Sequence, residues 1–415
     1  MSAPLGSDPG PSRSHAIAVI GAGTAGMAAS LFLARAGHRV TLFERVAAPG
    51  PVGAGLLIQP TGLYVLEQLG LAARIRASGA RVDRLLGATA RGRNVMDLRY
   101  ADLAPGWHGI GIHRGALSGT LWSAVQAAPI TLRLGAAVDM VEQRDGHVRV
   151  RQHAAAVFER FDLAVVADGT FSQLRAQIAI PHEITVYPWG AWWTILRDPD
   201  LRFQGALRQR YRRATQMLGV MPVGPLPTPA ADAAQHVTLF WSVRRNDEAA
   251  LRARGLEAWK DEVLALAPEA APLLAQIAGL DQLTFATYAD VRMVPWHHRR
   301  VVVIGDAAHA TSPQLGQGAN LALIDALVLA RCLAAAPEVV PALAAYTAAR
   351  RAHLDYYQSA SSLLTPVFQS DARLLPLLRD LLMPLACRLP GLREQMLSTL
   401  AGSKAGWLWG ALQLE

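Results

Sequence analysis

Three glycines near the start of the chain constrain its fold more than any other feature. Gly21, Gly23 and Gly26 lie between a short apolar run and a longer stretch whose apolar residues have a helical pattern. A second apolar run follows and ends at Glu44. The order strand, glycine turn, helix, strand and acid is that of a βαβ unit that binds a dinucleotide.

Each of these residue types has a physical reason. Gly21 permits the tight turn, Gly23 lets the backbone approach a pyrophosphate, and Gly26 lets the helix pack on the strand. The helix begins at Thr24 and Ala25, where free N–H groups and a partial positive charge favour phosphate. A carboxylate at the end of the second strand can accept hydrogen bonds from an adenosine ribose, and it disfavours a 2′-phosphate there. The motif does not distinguish NAD from FAD.

A second glycine-rich segment follows the apolar strand at 301–304. Asp306 comes directly after this strand, at the sheet edge where open α/β sheets bind ligands, and a carboxylate there suits the hydroxyls of a ribityl chain. The backbone N–H groups of 316–318 lie at a predicted helix start and can stabilise negative charge on a reduced flavin ring. His309 is interpreted as a structural residue rather than a catalytic one.

Two further segments are weaker signals on their own. The segment 168–175, which contains Asp168 and Arg175, follows the strand at 163–167. Taken alone, it is typical of an ordinary turn with a helix cap. Arg114 precedes a predicted helix at 116–127, and an arginine there is usually a solvated cation.

The composition excludes several classes of protein. The chain has 415 residues, of which 52% are hydrophobic and 17% charged, so it can bury a large core. Two cysteines, Cys332 and Cys387, make neither a disulfide scaffold nor a metal site. The net charge of +8 is scattered and comes almost wholly from arginine. The densest basic groups, 208–213 and 297–300, do not alternate with several aromatic residues, so no nucleic-acid binding is expected.

The hydropathy pattern predicts no transmembrane segment. The apolar stretch at 16–34 is interrupted by the glycine turn, and the one at 321–346 contains Asp325, Arg331 and Glu338. A cytoplasmic, reducing location is expected. The tail at 404–409 combines lysine with tryptophan and allows a weak peripheral contact with a membrane, although a helix docked on the core is the favoured interpretation.

The order of patterns predicts an α/β fold. A Rossmann-like FAD-binding domain carries an inserted β-sheet substrate domain and is followed by a helical C-terminal region. One amphipathic helix is expected over 251–277, and the helices after 321 are expected to be interrupted by Pro366, Pro384 and Pro390. The predicted regions are residues 14–78, 106–180 and 287–350 for the FAD-binding domain, 79–105 and 181–286 for the substrate domain, and 351–415 for the helical region.

Taken together, three motifs resemble those of the flavoprotein aromatic hydroxylases, the class A flavoprotein monooxygenases with the para-hydroxybenzoate hydroxylase fold. This family includes salicylate hydroxylases, kynurenine 3-monooxygenases and ubiquinone-biosynthesis hydroxylases. The resemblance spans about residues 15–360 and is specific for the superfamily rather than for a substrate. The motifs are Gly21-x-Gly23-x-x-Gly26, Asp168-Gly169-x-x-Ser172-x-x-Arg175, and Gly305-Asp306-x-x-His309-x-x-x-Pro313-x-x-Gly316-Gln317-Gly318-x-Asn320.

The resemblance implies a role for each matching residue. For the adenosine end of FAD, it implies that Glu44 binds the ribose and that Arg45 and Val138 lie near the adenine. It also implies that Arg114 contacts FAD. Asp168 and Arg175 belong to a motif associated with FAD and NAD(P)H. Towards the ring, it implies that Asp306 binds the ribityl chain, that Pro313 packs near the isoalloxazine, and that backbone groups of Gly316, Gln317, Gly318, Ala319 and Asn320 contact it.

The resemblance also implies the reaction of an FAD-dependent NAD(P)H monooxygenase (EC 1.14.13 type). NAD(P)H reduces FAD, the reduced flavin meets O2, and a C4a-hydroperoxide transfers one oxygen atom to an electron-rich ring. The protein must then exclude water, so apolar walls are expected over the flavin. Substrate-binding candidates are Tyr187, Trp193, Met221 and Phe240, and further candidate lining residues are Trp189, Trp192 and Trp241. For each of them, a place in the sheet core is the alternative interpretation. No catalytic base is identified.

Three alternatives stay open from the residues alone. A halogenase of the superfamily would carry a Trp-x-Trp-x-Ile-Pro segment and a catalytic lysine in the first domain, and neither is present. A prenyl-chain reductase would use the same FAD site without O2. A non-catalytic flavin-binding protein would bind FAD without consuming NAD(P)H. The substrate, its regiochemistry, the choice between NADH and NADPH, and the oligomeric state stay undetermined, as does whether residues 361–371 cover the pocket.

Overall fold

The computed structural model describes residues 14–50, 53–153, 157–227, 234–407 and 410–414. These residues form a mixed α/β structure with a six-stranded sheet, a small three-stranded sheet and a larger sheet, followed by long helices. The fold class expected from the sequence is confirmed.

In the described part of the chain, the strands are β1 (Ala16–Ile20), β2 (Arg39–Glu44), β3 (Gly55–Ile58), β4 (Gly79–Thr89), β5 (Asn94–Arg99), β6 (Gly109–His113), β7 (Ile130–Leu134), β8 (Val138–Arg144), β9 (His147–Gln152), β10 (Phe158–Phe161), β11 (Leu163–Val166), β12 (His182–Arg197), β13 (Gly205–Arg212), β14 (Gln216–Gly224), β15 (His236–Arg244), β16 (Thr284–Met293), β17 (His297–His298) and β18 (Val301–Val303). The α-helices are α1 (Thr24–Arg35), α2 (Pro60–Gln68), α3 (Ala72–Ser78), α4 (Arg114–Ala127), α5 (Glu248–Arg254), α6 (Leu256–Leu266), α7 (Ala271–Leu274), α8 (Asp306–His309), α9 (Gly318–Ala335), α10 (Val339–Phe368), α11 (Leu375–Ala386) and α12 (Pro390–Ala401).

The six-stranded sheet positions the glycine motifs. Its order is β17-β18-β11-β1-β2-β7, and β1 pairs in parallel with both β2 and β11. The last residues of three neighbouring strands are in register, since Ile20 pairs with Val166 and Val166 pairs with Val303. The loops that follow β1, β11 and β18 therefore leave the sheet side by side at its carboxyl edge.

The larger sheet has two differently covered faces. Its order is β16-β12-β15-β14-β13-β4-β6-β3, with β5 paired to β4. On one face, Trp192 and Trp241 pack in a core with Trp259 of α6. On the other face, Tyr211 and Met221 belong to a cluster that includes Phe368 at the end of α10.

Two helix predictions differ from the structure. The single helix predicted over 251–277 is three short helices, α5, α6 and α7, because Gly255 has φ +86° and Pro268 lacks the N–H that a continuous helix needs. Pro366 and Pro384 do not interrupt their helices, since each lies inside the last turn of α10 or α11. Pro390 is the first residue of α12, a position where proline is favoured because its missing N–H would have no partner in the helix.

The domain boundaries stay a prediction. The larger sheet takes strands from both sides of those boundaries, because β3 and β6 pair within it and β16 runs across the boundary at 286/287.

Among the described residues, one helix is long and apolar enough to cross a membrane. This helix is α9, and 61% of it is buried inside the protein against α1, α2 and α10. Lys404, the one lysine of the tail, is also buried and bonds Gln395, whereas Leu408 and Trp409 lie outside the described residues.

Candidate active site

The turn after β1 has the geometry of a phosphate-binding loop. Gly21 has φ +104°, and a Cβ there would lie 2.5 Å from the carbonyl oxygen of Ala167. A Cβ on Gly26 would overlap the carbonyl oxygen of Gly21, so the helix approaches the turn as closely as glycine allows. A Cβ on Gly23 would meet nothing within 4 Å, which leaves open space in front of the start of α1.

Glu44 is held against this turn. Its Oε2 accepts a hydrogen bond from the Ala22 amide at 2.8 Å, and its Oε1 accepts one from the Val46 amide at 2.8 Å. The carboxylate is only partly buried, so it keeps lone pairs for another donor. Arg45 next to it is exposed.

The Asp168 loop joins the first glycine turn to the Asp306 turn. The Cα of Asp168 lies 3.1 Å from the position of a Gly21 Cβ. Arg175 is fully buried and donates to the carbonyl oxygens of Ala307, at 2.5 Å, and Thr170, at 3.0 Å. Burial raises the pKa of the Asp168 carboxyl above its ordinary value, despite the hydrogen bond with Ser172 and the nearby Arg175 charge. Its Oδ1 is buried without a partner among the described residues.

Asp306 lies beside the second glycine loop. Its Oδ1 is 3.7 Å from the position of a Gly318 Cβ, and the residue is exposed at the start of α8. Pro313 begins a 3₁₀ turn that ends at Gly316, immediately before α9. The structure therefore places the exposed Asp306 carboxylate next to the backbone of the loop 316–319.

The side chains of Gln317 and Asn320 point into the protein. Asn320 Oδ1 accepts from the Gln59 amide at 2.9 Å, and its Nδ2 donates to the carbonyl oxygens of Leu57 and Gly316, each at 3.1 Å. Gln317 Nε2 donates to the carbonyl oxygen of Leu400 in α12 at 2.8 Å. Both side chains thus fix the loop, and only its backbone is left for a ligand.

Sequence reasoning noted that the segment 53–60 resembles the family but assigned no role to Gln59 or to Tyr100. Gln59 is fully buried, and its Oε1 accepts a hydrogen bond from the Tyr100 hydroxyl at 2.5 Å. Burial raises the pKa of the Tyr100 hydroxyl far above its ordinary value, so it is a neutral donor. Gln59 Nε2 consequently turns towards the Gly316 loop, 3.9 Å from the position of a Gly316 Cβ, with no partner among the described residues. The sequence offers one weak signal for Gln59: it is a polar residue between the apolar strand 55–58 and Pro60.

Buried charges hold the Asp306 turn from behind. Asp325 Oδ2 accepts from the Gly305 amide at 2.8 Å and bonds His309 Nε2 at 2.5 Å, while Oδ1 accepts from Arg350 Nε at 2.8 Å. Burial alone would raise the pKa of the Asp325 carboxyl, but His309, Arg350 and the Gly305 amide together hold it well below its ordinary value. His309 is thus a structural residue behind the turn.

Arg114 and Val138 lie on two other parts of the fold, Arg114 after β6 of the larger sheet and Val138 in the three-stranded sheet. Arg114 is the first residue of α4, and its side chain lies against Gly53, where a Cβ would be 2.8 Å from Cδ. Val138 begins β8 and is half-buried. Their contacts with FAD stay a prediction.

The predicted lining residues divide between the two faces of the larger sheet. Trp192 and Trp241 are wrongly predicted, because both lie in the core on the α6 face, with the Trp192 ring 6.0 Å from the Trp259 ring. Trp193 pairs with Phe240 and has the opposite orientation, since successive side chains alternate. Met221 is on that same opposite face, whereas Trp189 is buried near the bulge in β12.

The face that carries Trp193 and Phe240 adjoins the segment 55–59, which leads to Gln59 beside the Gly316 loop. Thr238, two residues before Phe240, lies 2.5 Å from the position of a Gly55 Cβ, and Gly55 begins the strand that leads to Gln59. The Thr238 hydroxyl is buried without a partner among the described residues. This face is therefore next to the Gly316 loop and not on the far side of the sheet.

Tyr187 belongs to a polar cluster that sequence reasoning did not assemble. Its hydroxyl donates to Asp290 Oδ2 at 2.8 Å, and Ser362 Oγ donates to the same oxygen at 3.0 Å. Burial first, and then Asp290, raises the pKa of Tyr187 to about 12. Ser312, which precedes Pro313, bonds Thr365 at 2.6 Å, so the end of α10 lies against the loop.

The arrangement fits FAD. Open space faces the start of α1, Glu44 lies beside it, and Asp306 lies next to the start of α9, where the described residues give no hydrogen-bond partner to the amides of 317–319. Two buried polar atoms at these loops have no partner among the described residues: Asp168 Oδ1 and Gln59 Nε2. A ribose, a pyrophosphate and a flavin pyrimidine ring offer the donors and acceptors that such a set lacks.

Comparisons with known proteins identify the family. Residues 14–359 match a family model described as an FAD binding domain. The chain is 31% identical over 375 residues to kynurenine 3-monooxygenase of Salinispora arenicola, covering 84% of this chain and 79% of that protein. It is 27% identical to 6-hydroxynicotinate 3-monooxygenase of Pseudomonas fluorescens, with 78% and 83% covered. Its fold matches that of Klebsiella pneumoniae HpxO, solved with FAD and uric acid, with a TM-score of 0.78, 20% identity and coverage of 93% and 97%.

The fold and these matches define an FAD-binding flavoprotein of the monooxygenase class. The chain belongs to the family of FAD-dependent aromatic hydroxylases. The resemblance expected from the three motifs is confirmed, and so is FAD as the cofactor.

One prediction concerns Gln59. Replacing Gln59 with leucine is expected to weaken FAD binding about 2- to 12-fold, the range for one net hydrogen bond of about 0.5–1.5 kcal/mol. Titration of FAD-free protein with FAD, followed by flavin fluorescence, measures the change. Gln68→Leu, an exposed position at the end of α2, is the matched control. Equal affinity of the Gln59 variant and the wild type would show that Nε2 faces no flavin atom.

Proposed function

We propose that this protein uses NAD(P)H and O2 to hydroxylate an aromatic or similarly electron-rich small molecule. The observation that supports the proposal is the convergence of three loops, those of Gly21, Asp168 and Asp306, at one sheet edge beside the Trp193 and Phe240 face. FAD, when bound, supplies the redox chemistry and the activation of oxygen. The protein supplies binding, orientation and exclusion of water.

Different groups of the chain bind different parts of the cofactor. The start of α1 holds the pyrophosphate, Glu44 accepts from the ribose, and Asp306 accepts from the ribityl hydroxyls. The amides of 317–319 would stabilise negative charge on a bound flavin ring, because backbone N–H groups at a helix start carry partial positive charge.

The substrate wall combines an apolar part and a polar part. Trp193, Phe240 and Met221 exclude water from the ring. Asp290 holds the Tyr187 hydroxyl, and its own Oδ1 is buried without a partner among the described residues. We propose this carboxylate as the proton acceptor for a substrate hydroxyl, by way of Tyr187.

The end of α10 closes this region from the other side. Gln369 Nε2 donates to the carbonyl oxygen of Gly190 in β12 at 2.9 Å, and its Oε1 accepts from Gln314 Nε2 at 3.3 Å. These bonds tie the loop after Pro313 to both the helix and the sheet. Residues 361–371 are therefore proposed to cover the substrate.

The test is the coupling of NAD(P)H oxidation to substrate. Such control requires a different affinity of the substrate for two flavin positions, and about 1.4 kcal/mol of difference gives about tenfold. The right compound is expected to accelerate NAD(P)H oxidation at least about tenfold, followed at 340 nm, with one atom from ¹⁸O₂ in the product. A compound screen with mass spectrometry finds that substrate.

The same experiment separates the alternatives. Product oxygen from water, or turnover that is unchanged without O2, would reject the monooxygenase and favour a reductase. FAD binding without NAD(P)H consumption for any compound would favour a non-catalytic flavin-binding protein.

A further inference from the structure

The C-terminal helices present an apolar surface to solvent. Eight of the nine leucines between residues 374 and 392 are at least half exposed, and we call these eight residues the leucine face. Five of them are on α11, at Leu377, Leu378, Leu381, Leu382 and Leu385, and Leu374 before the helix is 72% exposed. Their spacing of three and four residues places them along one side of the helix.

The opposite side of α11 holds the helix in this orientation. Arg379, the one basic residue of α11, is buried and donates to the carbonyl oxygens of Val367, at 3.2 Å, and Arg213, at 3.0 Å. Its guanidinium also lies 4.6 Å from the centre of the Tyr211 ring. These buried hydrogen bonds favour the orientation with the arginine inwards and the leucines outwards, because turning the helix over would leave the carbonyl oxygens of Val367 and Arg213 without this donor.

The leucine face is large for the surface of a single chain. At about 30 Å² for each methylene-sized group, the exposed parts of the eight leucines amount to roughly 600 Å². The largest apolar patch on a typical monomer is about 300–600 Å². A standard interface buries about 800 Å² on each partner, so this face and its rim reach the size that a stable dimer needs.

The chemistry of the face favours protein over lipid. Helices that lie in a membrane surface combine lysine or arginine on the polar side with tryptophan or phenylalanine among the leucines. The leucine face has no aromatic residue, and the arginine of α11 is buried. Its rim carries both signs of charge, with Arg373 and Arg388 near Asp371 and Glu394, all exposed.

We propose that the leucine face is the contact surface for a second copy of this chain. A two-fold contact brings the same patch together from both copies, so the patch must complement itself. A row of leucines meets this requirement, because two such rows interdigitate as ridges and grooves when helices cross.

Analytical ultracentrifugation of the FAD-loaded protein over a concentration series tests the proposal. The wild type is expected to sediment with twice the mass of one chain. The double variant Leu378→Glu/Leu385→Glu is expected to raise the dimer dissociation constant at least about tenfold, because each contact would bury unpaired carboxylates. Flavin content and circular dichroism establish that the variant is folded. Val157→Glu, at an exposed position of 73% in the turn before β10, is the matched control and is expected to leave the dimer intact.

Three results would overturn the proposal. The first is a wild-type protein with the mass of one chain at every concentration. The second is a dimer that the double variant leaves unchanged. The third is a wild-type monomer that sediments with anionic phosphatidylserine vesicles and loses this binding in the double variant, which would assign the leucine face to a lipid surface.

Discussion

Replacing Arg350 with methionine is expected to destabilise the folded chain by about 3–5 kcal/mol, the cost of removing one partner from a buried ion pair. Arg350 and Asp325 are both fully buried, and Arg350 Nε donates to Asp325 Oδ1 at 2.8 Å. Without the arginine, the Asp325 carboxylate loses its one buried guanidinium partner and keeps the hydrogen bonds with His309 and the Gly305 amide. Urea unfolding at neutral pH measures the loss.

The same variant should also lose FAD. Arg350 Nη1 bonds His353 Nδ1 at 2.6 Å, and His353 Nε2 donates to the carbonyl oxygen of Gly402 at 3.0 Å. Burial first, and then Arg350, lowers the pKa of His353 to about 3, so this histidine is neutral and joins α10 to the chain after α12. The cluster thus supports the Gly305 turn from behind, and loosening it displaces Asp306.

The pH dependence gives a second readout. In the wild type the pKa of Asp325 is lowered, so its contribution to stability is present above its unfolded pKa of about 3.9 and is lost only as the pH falls below that value. In the variant the buried, poorly compensated carboxylate should have a raised pKa, so its penalty is largest at neutral pH and shrinks in acid. The difference in stability between the two proteins is therefore expected to decrease as the pH falls.

Arg351→Met is the matched control. Arg351 is the next residue of α10 and is exposed, so its loss is expected to change stability by less than about 0.5 kcal/mol. Equal stability of the Arg350 and Arg351 variants would contradict the role assigned to the Asp325 cluster.

Replacing Asp306 with alanine is expected to weaken FAD binding about 10- to 150-fold while leaving the fold intact. A hydrogen bond to an ionised group contributes about 1.5–3 kcal/mol, which corresponds to that range of affinity. Asp306 is exposed and accepts no side-chain hydrogen bond or ion pair among the described residues, so little folding energy depends on it. Fluorescence titration of FAD-free protein gives the affinity, and urea unfolding without FAD gives the stability.

Two comparisons make this result specific. Asp355→Ala removes an exposed carboxylate from α10 and should leave FAD affinity unchanged. Asp306→Asn keeps an acceptor without the charge and should fall between alanine and wild type. If the alanine variant folds and binds FAD as tightly as wild type, Asp306 does not contact the ribityl chain.

Local patterns were sufficient for the strands that precede the three motifs, for the turns after them and for the family. The run before Gly21 can form only a strand, since the next residues need a glycine turn and then a helix, and Glu44 is held against that turn as its position predicts. Parallel strands end at the same sheet edge, so the placing of the Asp168 and Asp306 turns beside the first one follows from the pattern as well. The FAD-binding family could be recognised from these three segments alone.

The faces of the larger sheet could not be assigned in the same way. Alternation shows that Trp192 and Trp193 point in opposite directions, but both faces of this sheet are covered, so both are apolar. Only the packing of Trp259 against Trp192 decides which tryptophan lies in the core and which lies on the face next to the segment 55–59. The prediction for Trp192 and Trp241 was wrong for that reason.

The sequence by itself determined the elements whose signal is local: the βαβ unit, the two later strand-and-turn segments and the helical C-terminal region. The tertiary structure alone decided which distant groups meet, as with Gln59 and Tyr100, Asp325 and Arg350, and Tyr187 and Asp290. It also turned the leucines of α11 outwards, because Arg379 finds its hydrogen-bond partners only inside the fold. A short-range pattern records a backbone preference, whereas a buried polar contact depends on a partner that can lie anywhere along the chain.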